Sequence, residues 1–262
     1  MLLFGGNSRH EWAIFHEITT LFCSTTGMEI SGSKSSFIAP SGLMDNQISE
    51  FFPFSCSKLE DGFRYLGYYF KPNGYRKQDW GWLLERVERK VGLWCYRWLS
   101  LGGRLTLAKY VLESLPVYWL SLFKLPKAIF QGLRRRVTSF IWSGNGSDNK
   151  IHLARWDLLT KPKKYGGWGL RDLELFGRGL RMKSCWRALH SANLWSRVLI
   201  DKYLKGLAVL EWIKSDAITP GNISPIWHGF LDIIHEIRKH LAWQIGTGSV
   251  VRVGIDNFIG GD

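Results

Sequence analysis

The chain has 262 residues, 45% of them hydrophobic, and a formal net charge of +13. That length and apolar content support a sizeable packed core and exclude an intrinsically disordered chain. No run approaches about 18 uninterrupted apolar residues, which excludes a membrane-spanning helix, and MLLFGGNSRHEW lacks the basic and apolar regions of a signal peptide.

Cys23, Cys56, Cys95 and Cys185 lie far apart, with no C-x-x-C pair and no histidine at ligand spacing. A zinc site or disulfide framework is not expected, and a reducing compartment is the default. The charge is unevenly spread: net −2 over residues 1–75, +15 over 76–190 and zero over 191–262. A concentrated positive field attracts polyanions, nucleic acid first among them, although a basic surface can equally be only solvated.

In chain order, Leu2 to Phe4 read as the end of a strand, and Gly5-Gly6-Asn7 as a turn. A helix is predicted from Arg9 to Thr25, with Trp12, Phe15, Ile18, Thr19 and Phe22 inward and Gly27 ending it. Met28 to Ile30 form a short predicted strand before the loop Ser31 to Ser35. Phe37 and Ile38 resume an extended run, and Asp45 to Phe51 can form a short helix. Phe63 to Phe70 read as an aromatic strand turned by Lys71 to Gly74.

Residues 79–142 carry three predicted helices. In the first, capped by Asp79, the residues Trp80, Leu83, Leu84, Val87, Val91, Trp94, Cys95 and Trp98 share one stripe. Gly102-Gly103 should break it. The second starts near Arg104, buries Leu105, Ala108, Leu112, Leu115 and Trp119, and should kink at Pro116. The third follows Pro126 and packs Ile129, Leu133, Val137, Phe140 and Ile141, while Arg134-Arg135-Arg136 form a cationic cluster. Trp80, Trp94, Trp98 and Trp119 can be stacking platforms for bases or core residues, and their helical spacing favours the core.

Further on, a short helix is expected near Trp156, followed by the loop Lys161 to Gly169, whose lysines and glycines suit either phosphate contact or plain solvation. Asp172 should cap a helix to Leu189, with Leu173, Phe176, Leu180 and Trp186 inward. Asn193 should cap another, with Leu194, Trp195, Val198, Leu199 and Tyr203 apolar. Residues 205–224 read as a connection. Pro225 should start a helix to His240 that carries surface histidines His228, His235 and His240. Ala242 to Val253 read as a β-hairpin.

Several stretches resemble the reverse transcriptases of plant LINE-type (non-LTR) retrotransposons: TTGMEISGSKS, FRYLGYYF, RWLSLGGRLTLAKYVLESLPVYWLSLFKLP, KIHLARWDLLTKPKKYGGWGLRDLELF and LWSRVLIDKYL, in the family's order. The resemblance implies an α+β, mostly helical fold. Residues 1–75 would be the end of a polymerase palm with short strands, 76–142 a basic helical thumb, and 143–262 a helical connection ending in a β-hairpin. It implies a partial RNA-directed DNA polymerase that begins just after the catalytic Asp-Asp motif and stops before a zinc-binding-like or ribonuclease H part.

The intact family uses a divalent metal, magnesium, held by aspartates to activate the primer hydroxyl. No Asp-Asp pair occurs in this sequence, so no cofactor and no polymerase activity of its own are expected. The resemblance makes Lys34 a candidate proton donor to the leaving pyrophosphate, or an ordinary loop lysine. It makes Tyr65, Leu66 and Gly67 a primer grip. Arg86, Arg89, Arg97, Arg104, Lys109, Arg134, Arg135 and Arg136 become phosphate contacts of the thumb, joined by the loop lysines Lys163 and Lys164. The expected partners are RNA, DNA or an RNA–DNA hybrid, and a missing polymerase half, with residence in the nucleus or cytoplasm. The alternatives are a retained nucleic-acid-binding module without sequence preference and a helical protein-interaction scaffold.

Overall fold

Apolar spacing sets the first helix, and a left-handed glycine ends it. Helix α1 spans Arg9–Thr26, and the N–H of Gly27 donates to Cys23 O. The computed structural model describes residues 2–6, 8–40, 51–65, 67–72, 74–95, 98–143, 151, 153–215, 223–244 and 258–259. The chain divides into two units, Met1–Tyr75 and Arg76–Asp262.

In the first unit, strands β1 (Ser36–Ala39) and β2 (Ser55–Lys58) pair in parallel, Phe37 opposite Cys56. Trp12 of α1 meets Phe37 edge-on with ring centroids 5.4 Å apart, and Phe37 in turn packs on Phe52 and Phe54. This aromatic cluster covers only one flank of α1. Ile18 and Phe22, expected inward, are instead more than half exposed, and with Ile14 and Leu21 they form a second, open apolar stripe. Two four-residue strands are too narrow to cover both flanks. Leu2 to Phe4 and Met28 to Ile30 form no strand; neither has a ladder partner among the described residues, and backbone groups without one stay solvated. The helix expected at Asp45 to Phe51 falls almost wholly outside the described residues.

The aromatic run at 63–70 is a hairpin rather than one strand. Strands β3 (Phe63–Tyr65) and β4 (Tyr68–Phe70) are antiparallel, and Tyr65 faces Tyr68 across the turn. The turn is possible because Gly67 adopts φ +83°, which a side chain would oppose. Phe63 and Phe70 then stack at 5.4 Å.

In the second unit, α2 spans Gly81–Cys95 and buries Leu83, Val87 and Val91. Asp79 lies in the short turn before it, accepting the Arg76 N–H at 2.7 Å. Trp98, expected on the same stripe, is fully exposed. Gly102 and Gly103 do not mark the break. They sit in the first turn of α3 (Leu101–Leu107), where the Ser100 hydroxyl accepts the Gly103 N–H at 3.2 Å. A glycine in a first turn is tolerated when a serine cap is already in place.

Helix α3 widens into a π turn over Ala108–Leu112, with the Glu113 N–H reaching back five residues to Ala108 O. The wider turn brings two successive side chains, Leu112 and Glu113, inward. Pro116 then caps α4 (Val117–Leu120), so the chain breaks rather than kinks there. Helix α5 (Lys127–Ser143) buries Ile129, Leu133, Val137, Phe140 and Ile141, the set that its spacing predicts.

Helix α6 (Trp156–Thr160) precedes the lysine-rich loop. Helix α7 (Leu173–His190) starts where Asp172 Oδ1 accepts the N–H groups of Glu174 and Leu175 at 3.0 and 3.1 Å. Asn193 caps α8 (Leu194–Tyr203) by accepting the Ser196 N–H at 2.8 Å. The presumed connection at 205–224 contains a further helix, α9 (Val209–Lys214), which buries Trp212 and Ile213. Helix α10 (Pro225–His240) begins at the predicted proline, with the Ser224 hydroxyl as its cap.

Helices α7 to α10 enclose a second core in which Trp227, fully buried, stacks on Tyr203 at 4.2 Å and 6°. Trp186, Leu194, Trp195 and Val198 are exposed, contrary to their expected inward set. Each helix turns only a narrow arc to this core, and Leu189, Leu199 and Tyr203 already fill it. Arg181 is buried in the same unit, its Nη1 donating to Phe123 O at 3.3 Å, and burial lowers its pKa. Strand β5 (Trp243–Gln244) pairs in parallel with β6 (Phe258–Ile259). The second strand of the expected hairpin at 250–253 lies outside the described residues. The fold is thus α+β and mostly helical, and no helix of the described residues is long and apolar enough to cross a membrane.

Candidate nucleic-acid interface

The basic residues expected to meet phosphates fall into three settings. Arg134, Arg135 and Arg136 are successive on α5 and therefore about 100° apart around it. They diverge instead of forming one cluster. Arg136 turns to α2, where its Nε and Nη2 pair with Glu88, the Nε at 2.8 Å, and its Nη1 reaches Gly132 O. Arg134 lies over the Trp156 ring at 5.2 Å from its centroid. Arg135, between them, is exposed.

Arg86 projects from α2 onto the ring of Trp119 at 5.8 Å, and Arg89 is exposed one turn away. Arg104 is half-buried, with its Nε lacking a hydrogen-bond partner. Arg97 and Leu66 lie outside the described residues. Lys34 is exposed in a single turn, its backbone N–H on Ser31 O, and with Tyr65 and Gly67 it belongs to the first unit.

The loop after α6 gathers several of the remaining cations. Gly167 N–H donates to Pro162 O and Gly169 N–H to Lys161 O, which folds the loop back on itself. The closure requires glycine, because a Cβ on residue 167 would lie 2.0 Å from Lys161 O. Lys109, from the π turn, donates to Trp168 O at 3.0 Å and lies beside Gly169. Lys163 packs by its stem against the same glycine, Lys164 sits over the Tyr165 ring at 4.7 Å, and Trp168 meets Trp142 of α5 at 5.3 Å. Lys109 and Lys163, far apart in sequence, are thereby neighbours.

The acidic residues of this region are largely engaged. Glu88 pairs with Arg136, Asp157 with Arg155, Asp172 caps α7, and Asp79 closes its own turn. Glu113 is buried, at 1% exposure. Its Oε1 accepts the Arg171 N–H at 2.9 Å, its Oε2 has no hydrogen-bond partner, and burial raises its pKa to about 7. Sequence reasoning passed over Glu113, although an acid in the apolar repeat Leu105, Ala108, Leu112, Pro116 was a usable signal.

Among the described residues no three His, Cys, Asp or Glu side chains converge as a metal ion requires. No catalytic step is assigned through the divalent metal of the resembling polymerases.

The geometry defines a class of protein: a mostly helical α+β chain that presents lysine and arginine on helix faces and on one folded loop. A scan against protein-family models gives no match. The chain is 34% identical over 188 residues to the "Putative ribonuclease H protein At1g65750" of Arabidopsis thaliana, covering 71% of this chain and 30% of that protein. It therefore spans less than a third of that relative's length. It is also 32% identical over 148 residues to the "Uncharacterized mitochondrial protein AtMg00310" of the same plant, covering 56% of this chain and 93% of that protein. The chain belongs to the family of this second protein.

Proposed function

We propose that the chain is a nucleic-acid-binding part of a LINE-type reverse transcriptase, gripping RNA, DNA or their hybrid through phosphate contacts without reading sequence. The observation that carries this reading is the net +15 over residues 76–190, combined with the engagement of several of the acids there. Glu88, Asp157, Asp172 and Glu113 are paired, capping or buried. Arg89, Arg135, Lys163 and Lys164 remain exposed. Uncompensated cations on a folded surface release counterions from a polyanion when they bind it.

The name of the larger relative, a ribonuclease H protein, supports a nucleic-acid setting, and the order of the five motifs supports the reverse-transcriptase reading. The proposed role of the chain is grip, and no Asp-Asp pair of the kind that family uses for nucleotidyl transfer occurs in its sequence. Filter binding of single-stranded RNA, single-stranded DNA and a hybrid across a chloride series tests the grip. Log affinity should fall linearly with log salt, with a slope of about −0.7 to −0.9 for each phosphate neutralised. A flat salt curve, or no binding at low salt, would overturn it.

A further inference from the structure

Glu113 opens onto a cleft of about 180 Å³ between the π turn, α5, Trp156 and the start of α7. Its lining is mixed: Phe130 and Trp156 supply ring surface, Lys127 and Arg134 supply positive charge, and Glu113 and Glu174 supply carboxyls. Asp172 also borders the cleft, but it is occupied in capping α7. Glu113 differs from the others in being buried with one oxygen, Oε2, unpartnered. A buried polar atom without a partner is unfavourable, and a ligand that donates to it recovers that cost.

The size of the cleft limits the ligand. Pockets for whole drug-sized molecules run to about 300–1,000 Å³, so 180 Å³ suits a single ring system. The lining specifies its chemistry: a flat face against Phe130, N–H donors toward Glu113, and a negative group toward Lys127 and Arg134, whose guanidinium covers the Trp156 ring. An unpaired nucleotide has all three. Among the bases, uracil and thymine flank their one ring N–H with carbonyl oxygens that would oppose a carboxylate. Cytosine and adenine place a ring acceptor beside their amine. Guanine presents N1–H and its 2-amino group side by side, matching the two oxygens of a carboxyl group.

We propose that this cleft holds one unpaired guanine base of a bound single strand, its N1–H and 2-amino edge on Glu113 and its phosphate on Lys127 and Arg134. The proposal rests on the nucleic-acid-binding reading and adds base preference to it. Burial opposes the ionised form of Glu113, while Arg171 and Lys109 favour it and the Glu174 and Asp172 carboxyls border the same cleft, so the preference should strengthen as pH rises through about 7.

The test uses the full chain and short, unstructured, fluorescently labelled single strands at fixed salt. The strands are identical except that one guanine is replaced by hypoxanthine, which lacks the 2-amino group, or by uracil. The guanine strand should bind about tenfold more tightly than either, the range of a good bidentate base contact. Glu113→Gln should abolish the preference while leaving affinity for the uracil strand and the salt slope unchanged, with its fold checked by circular dichroism. Lys127→Gln, on an exposed side chain, should keep the preference and reduce the salt slope by about one contact. Equal binding of all three strands to the wild-type chain, with a normal salt slope, would overturn the guanine site and leave the grip intact. Failure of every strand to bind at low salt would overturn the reading beneath it.

Discussion

Replacing Glu113 by glutamine should remove a pH-dependent weakness from the fold. Below the ordinary carboxyl value of 4.5 the side chain is protonated in both the folded and unfolded states, and it costs nothing extra. As pH rises from there towards about 7, the unfolded chain releases the proton while the folded protein keeps it. Above that value the folded protein must hold a buried anion. The folded state binds more protons across this window, so stability falls as pH rises. A displacement of roughly 2.5 pH units corresponds to at most about 3 kcal/mol, fully expressed only above the folded value. Glutamine keeps an oxygen for the Arg171 N–H and carries no charge. Urea midpoints of wild type and Glu113→Gln, measured from about pH 5 to about pH 8, isolate the effect, because histidine titrations cancel in the difference. The variant should gain about 1–3 kcal/mol on the wild type over that range. A difference that stays constant with pH would refute the burial and orphaned oxygen assigned to this carboxyl.

Three other perturbations probe the fold and the loop. Trp227→Ala, which empties the fully buried ring stacked on Tyr203, should cost about 3–5 kcal/mol by urea denaturation. Asp172→Ala removes the two-armed cap of α7 and should cost about 1 kcal/mol, read as a lowered melting temperature at unchanged helix content. Gly167→Ala places a methyl against Lys161 O and should open the 161–169 loop. Faster tryptic cleavage at its lysines, with the melting temperature little changed, would register this.

Local chemistry made the long helices legible. The cap at Asp172, the cap at Asn193, the proline opening α10 and the glycine ending α1 each act within a few residues, and the structure places them where such residues belong. Helix α5 was readable down to its buried set because its 3.6-residue repeat is unbroken. The failures arise where an unusual backbone conformation or a distant partner decides the outcome. The 63–70 run has the composition of one strand, but a single glycine at positive φ folds it in two. The π turn shifts the phase of everything after Leu112, and this brings Glu113 into the core. Helix α9 was hidden by flanking loop residues, and its burial against α10 supplies what its short repeat lacks. Of the candidate interface, sequence identified the cations but not which of them find acids or rings. Arg136 and Arg134 diverge because Glu88 and Trp156 lie on different sides of α5.

The open flank of α1 governs how this protein can be handled. Ile18, Leu21 and Phe22 keep more than half of their surface in water. Sulfate and phosphate buffers raise the free energy of wetted hydrocarbon, whereas chloride at modest strength does so far less. The same multivalent anions also compete for arginine and lysine. A preparation kept in sulfate would therefore suffer twice, becoming stickier through one helix while its cations were masked on others. Dilute chloride avoids both effects.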